Sequence, residues 1–169
     1  MKLEQQVCSL EQSKKLKSLG VNGKSIFYWW DFNKVSKSFF HGNPKLQYGN
    51  ICPGASAEAK VNAELKECFS PAFTAAEIGV MLPCRVWVGD DMYQLSLMKS
   101  DETWHKKQSR TNTSFHYEYD FVNKENQIEV LGGVQVGNIN EAVSRAEILI
   151  WLLENKHTTA EEVNSRLNS

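Results

Sequence analysis

Residues 71–83 read PAFTAAEIGVMLP, and this stretch constrains the fold more than any other. Thr74 followed three residues later by Glu77 is a capping box, in which each side chain satisfies a backbone N–H that the first helical turn leaves open. Phe73 and Ile78 occupy the two positions of a hydrophobic staple, and Pro83 forbids further helix. The pattern predicts a short helix over residues 75–82. Such a helix belongs to a DNA-reading helix-turn-helix only if a second helix comes after a turn of three or four residues. The next residues are PCRVWVGDDMYQLSLM. Val86 and Val88 alternate with Trp87, Gly89-Asp90-Asp91 supplies turn residues, and Tyr93, Leu95 and Leu97 alternate again. This is a β-hairpin, so the recognition helix is excluded.

The rest of the chain is punctuated in the same way. Ser9-x-x-Gln12 is a second capping box, predicting a helix that ends near Ser18 with Gly20 as its stop. SIFYWWDF, at 25–32, is a strand by composition, with apolar residues on both faces. Residues 33–68 lose periodicity, with a weak helical signal over 55–69. SFHYEYDFV alternates cleanly: Phe115, Tyr117, Tyr119 and Phe121 against His116, Glu118 and Asp120. NKEN then turns the chain and QIEVLGGVQV returns it, with Gly132-Gly133 marking a bend or bulge. Asn138-x-x-Glu141 opens the principal helix, whose core stripe reads Ala142, Ala146, Leu149, Ile150 and Leu153, with Asn155 at its close. Ile148, Trp151 and Leu152 widen the apolar zone, so the helix is expected to be buried over most of its circumference near its end. Thr159-x-x-Glu162 caps a last helix.

These elements predict a single α+β domain over residues 1–169. A mainly antiparallel sheet of four to six strands carries a long C-terminal helix packed on one face, with shorter helices around it. The expected seam joins Phe115, Tyr117, Tyr119 and Phe121 to Ala146, Leu149, Ile150 and Leu153. Residues 1–8 read as an extended arm and 33–68 as a long, partly irregular connection.

At 169 residues, 41% apolar and 23% charged, the chain has enough apolar surface for its own core. Met1-Lys2 leads into Glu4, Gln5 and Gln6 with no apolar stretch behind them, and the longest apolar run, 148–153, is far short of the roughly 20 residues that span a bilayer. The expectation is a soluble cytoplasmic protein with no membrane partner. Cys8, Cys52, Cys68 and Cys84 lie far apart without a C-x-x-C pair, which reads as free thiols and neither a metal site nor a cofactor. The net charge of −1 conceals a gradient: residues 1–60 hold nine lysines against four acidic residues.

Three constellations carry candidate chemistry. His116, Glu118 and Asp120, with His105 or His41, have the residue types of a metal or acid–base site, but a solvated strand face shows the same alternation. Cys52, and less so Cys84, has the nucleophile's thiol without a hydrolase signature around it. The third is an aromatic and basic set: Tyr28, Trp29, Trp30, Phe39, Phe40, Lys45 and Tyr48, with Lys34 and Lys37 among them. Aromatic anchors dominate protein interfaces, and stacking platforms flanked by lysines bind single-stranded nucleic acid. A packed core claims aromatics too.

At FYWW, FTAAEIGVMLP and LIWLLENK followed by TAEEVN, the chain resembles a group of small uncharacterised bacterial proteins of prophage-like or mobile-element regions. That resemblance implies a bacterial, phage-related setting and carries no active-site motif. The functional expectation is a non-catalytic binding or adaptor protein that meets a protein partner through its aromatic N-terminal third. The alternatives are a single-stranded nucleic-acid binder and a small hydrolase-like enzyme.

Overall fold

The computed structural model describes residues 3–31, 45–48, 69–101, 113–122, 128–133, 136–138 and 140–169. Among them are the helices α1 (Leu10–Ser18), α2 (Ala75–Met81), α3 (Glu141–Glu154) and α4 (Ala160–Asn168). The strands are β1 (Phe27–Trp30), β2 (Lys45–Tyr48), β3 (Phe69–Pro71), β4 (Arg85–Val88), β5 (Asp91–Asp101), β6 (Thr113–Val122), β7 (Ile128–Val130) and β8 (Val136–Asn138). The weakly helical stretch over 55–69 falls almost wholly outside the described residues.

The local signals act where they stand. Ser9, Thr74 and Thr159 each accept from the backbone N–H three residues on, while Gln12, Glu77 and Glu162 reach back to the cap's own N–H. Gly20 comes after α1 at φ +90°, a conformation that costs glycine little. Val88 and Asp91 pair around Gly89-Asp90, with Gly89 at φ +62°, so the hairpin turns on a glycine at the first central position. One start moves: Asn138 ends β8, and Asn140 caps α3 by accepting from Ala142 and Val143.

The expected sheet is corrected. The chain is α+β, but its strands do not form one sheet of four to six with a long C-terminal helix on one face. They divide between two antiparallel sheets: β2-β1-β3, and a larger one running β4-β5-β6-β7 with β8 also paired to β6. The FYWW strand is therefore not a neighbour of the SFHYEYDFV strand. The long helix α3 is followed by α4, as the Thr159 capping box predicts. The physical reason is that alternation specifies which residues share a face, while the choice of neighbouring strand rests on contacts distant in sequence.

The described core is built mainly by helices. Leu16 of α1, Ile78 and Met81 of α2, Ile148, Leu149 and Leu152 of α3 and Val163 of α4 are fully buried together with Phe73 and Val21. Each such side chain contributes about 1.5–3 kcal/mol relative to exposure. From the larger sheet Val86 joins this cluster, with Tyr93 and Leu95 packed against it. On α3, Ala142, Ala146 and Leu149 of the expected stripe are buried together with Ile148 and Leu152 of the widened zone, whereas Ile150 and Leu153 are half-buried. A helix that packs against α1 and α2 as well as β6 and β8 buries more than one line of residues. The β6 side chains of the expected seam lie outside the described residues.

Residues 3–8 are tied down. Leu3–Gln5 form a 3₁₀ turn, Val7 bridges Thr74, and Val7 and Cys8 are fully buried. Gly132 sits at φ +63° between β7 and β8, where an added Cβ would lie 2.6 Å from the Trp151 ring. Glycine thus allows both the bend and the close approach. Among the described residues, no helix is long and apolar enough to cross a membrane.

Candidate functional site

The smaller sheet is held by side chains from outside it. Glu77, already in the capping box of α2, also accepts from Ser25 Oγ at 3.2 Å and from the Ile26 N–H at 3.0 Å, clamping the chain just before β1. Beyond β1, the buried Asp31 carboxylate meets Lys14 Nζ of α1 at 2.5 Å. From the same helix, Lys17 Nζ donates to the Phe69 carbonyl of β3 at 2.7 Å. Two helices therefore fix both ends of β1 and the start of β3.

β1 is the central strand of this sheet. Trp30 pairs with Lys45 on one side and Phe69 on the other, and Tyr28 pairs with Gln47 and Pro71. Directly opposed residues share a face, so Tyr28, Trp30, Phe69 and Pro71 lie together. All four are half-buried, and the Trp30 and Phe69 rings stand 5.1 Å apart, tilted by 37°. The alternate residue, Trp29, serves the core side: its Nε1 donates to the Cys8 carbonyl at 2.9 Å, and its register partner Ser70 is buried. Tyr28 is held by its own neighbour, its hydroxyl oxygen accepting from the Ser25 N–H at 3.3 Å.

The structure thus brings Tyr28, Trp29, Trp30, Lys45 and Tyr48 into two adjoining strands, with Phe27 paired to Tyr48. Phe39, Phe40, Lys34 and Lys37 lie outside the described residues, as do Cys52, Cys68, His41 and His105. Phe69 and Pro71 were missed by composition, because no local pattern marks a three-residue strand. Trp87 was missed as well, although its alternation with Val86 and Val88 could have flagged it. It is 66% exposed, against 3% for Val86.

The electrostatics narrow the chemistry. Three lysines of the basic N-terminal third are engaged within the fold: Lys14 with Asp31, Lys15 with Glu154, and Lys17 with the Phe69 carbonyl. The Cys8 thiol, 3.2 Å from Ser13 Oγ, is pushed up to about 11 by burial, which keeps it protonated and unreactive at neutral pH. Cys84 is exposed. His116, Glu118 and Asp120 pair in the backbone register with Met98, Ser96 and Gln94. Their side chains lie outside the described residues, among which no group of three His, Cys, Asp or Glu is placed to hold a metal ion. No protein-family model, curated protein or solved structure matches this chain.

Proposed function

We propose that the protein is a non-catalytic binding module that contacts a protein partner through the aromatic face of its smaller sheet. The observation that carries this reading is the half-buried row of Tyr28, Trp30, Phe69 and Pro71, fixed in place by Glu77, Lys14 and Lys17. Rigid aromatic groups lose little conformational freedom on docking, so more of their burial appears as affinity. Single-stranded nucleic acid is the weaker partner, because a stacking platform for it needs lysines free to neutralise phosphates. Lys14, Lys15 and Lys17 already have intramolecular partners.

The test is site-specific photo-cross-linking in the native cell, with a photoreactive phenylalanine analogue in place of Tyr28 or of the exposed Glu147 on α3. A discrete protein adduct from position 28 and none from position 147 is the expected result. Identical patterns from both positions, or no adduct, would overturn the reading. A tryptophan-fluorescence titration with oligothymidine forms the second arm: saturable binding that weakens steeply with salt would replace the protein partner with nucleic acid.

A further inference from the structure

The larger sheet has an open edge with an unusual sequence. β4 pairs with β5 alone among the described strands. The Leu95 N–H donates to the Cys84 carbonyl at 3.0 Å, which marks this as a bonded pair of the antiparallel ladder. Bonded and non-bonded pairs alternate, so Val86 with Tyr93 and Val88 with Asp91 are bonded, whereas Arg85 with Gln94 and Trp87 with Met92 are not. The backbone N–H and C=O of Arg85 and Trp87 therefore point away from β5, toward the open edge. The side chains there are exposed: Arg85, Cys84, Trp87 at 66% and Val88 at 37%.

We propose that β4 binds β4 of a second copy of this chain, antiparallel about a two-fold axis through Val86, joining the two larger sheets into one. In that register Arg85 lies opposite Trp87 of the other copy, and Trp87 opposite its Arg85. These two pairs satisfy the outward N–H and C=O groups of Arg85 and Trp87 in both copies. Each guanidinium lies across from an indole on the same face, a cation–π pair formed twice by symmetry. Exposed Val88 meets exposed Cys84. The strand is complementary to its own reverse, which is why the occupant is a second copy.

Other registers that keep the outward groups paired are worse. Sliding two residues one way sets Arg85 against Arg85 and Trp87 against Pro83, which has no N–H. Sliding the other way sets Arg85 against Gly89, whose φ of +62° takes it out of the extended strand. A four-residue strand is short, so the dimer is reversible and dependent on concentration.

Two measurements on the full chain test this. In sedimentation equilibrium the weight-average mass rises from 19.2 kDa toward twice that value with concentration. Trp87→Ser lowers the association constant at least about tenfold, from loss of two cation–π pairs, with circular dichroism and melting unchanged. A native chain that stays monomeric, or a dimer indifferent to Trp87→Ser, would overturn the proposal. So would a monomer whose edge instead takes up an unrelated extended peptide.

Val88→Cys tests the register. A non-bonded pair has Cα atoms about 4.5 Å apart, within reach of a disulfide, so mild oxidation of mixed heavy and light protein links position 88 of one copy to Cys84 of the other. Within one strand the two positions are roughly 13 Å apart and cannot join. Links from position 88 to position 88, or no covalent dimer, would sink the register.

Discussion

β1 and β4 are both four-residue strands, both contain tryptophan, and they behave oppositely. β1 is central, flanked by β2 and β3, and its four residues are all half-buried. Among the described strands β4 is an edge, and three of its four residues are exposed. Composition favours FYWW as the place where aromatics meet a partner, yet the most exposed large apolar side chain among the described residues is Trp87. Exposure in this molecule tracks strand position more closely than aromatic content. A central strand is covered from two sides by its neighbours, while an edge strand leaves one row of backbone groups and one face open.

The strongest effect tests the buried side of this contrast. Trp29→Ala removes an indole and its hydrogen bond to the Cys8 carbonyl, and should cost about 3 kcal/mol in urea unfolding. The layer beneath it gives a second reading, through pH. The Cys8 thiol has its folded value raised from 9.0 to about 11 by burial, so its contribution is complete below pH 9 and is lost as pH rises toward 11. Unfolding free energy should fall by about 2–3 kcal/mol over that window, and Cys8→Ala should lack this fall.

Glu77→Ala removes the carboxylate half of the α2 capping box and the clamp ahead of β1 together, leaving the Thr74 cap itself, and should cost about 2 kcal/mol. Its distinguishing mark is faster amide exchange at Ile26 as well as at the first turn of α2. The weakest effect belongs to the other strand. Trp87→Ser should change stability by less than about 0.5 kcal/mol, measured at concentrations where the chain is monomeric. Equal costs for Trp29→Ala and Trp87→Ser would erase the contrast between the two strands.

Much of the fold was legible because its cause is local. A capping box closes within four residues, so Ser9, Thr74 and Thr159 announce their helices without help from elsewhere. The hairpin over 85–94 was legible for the same reason: Gly89 supplies the turn and the flanking alternation supplies the strands. The depth of each residue on α3 was not. The wide apolar zone with Ile148 and Leu152 was legible, but these two are buried more deeply than Ile150 and Leu153 because α1, α2 and two strands press on the helix from several directions, and periodicity records only the average. The candidate site was half legible: Tyr28 and Trp30 were found by composition, whereas Phe69 and Pro71 join their face only through pairing across about forty residues.

Glu77 shows both kinds of information in one side chain. Its place three residues after Thr74 sets a helix start, since the bonds involved span a single turn. That the same carboxylate also grips Ser25 and Ile26 is a tertiary outcome, because it depends on which distant segment is brought to the helix. The same division holds across the chain. Local residue order dictated where helices begin, where the hairpin turns and which residues alternate, through bonds made within a few residues. Folding selected which strands became neighbours, which edge stayed open and which tryptophan faced water, because those outcomes belong to contacts between segments that no local pattern encodes.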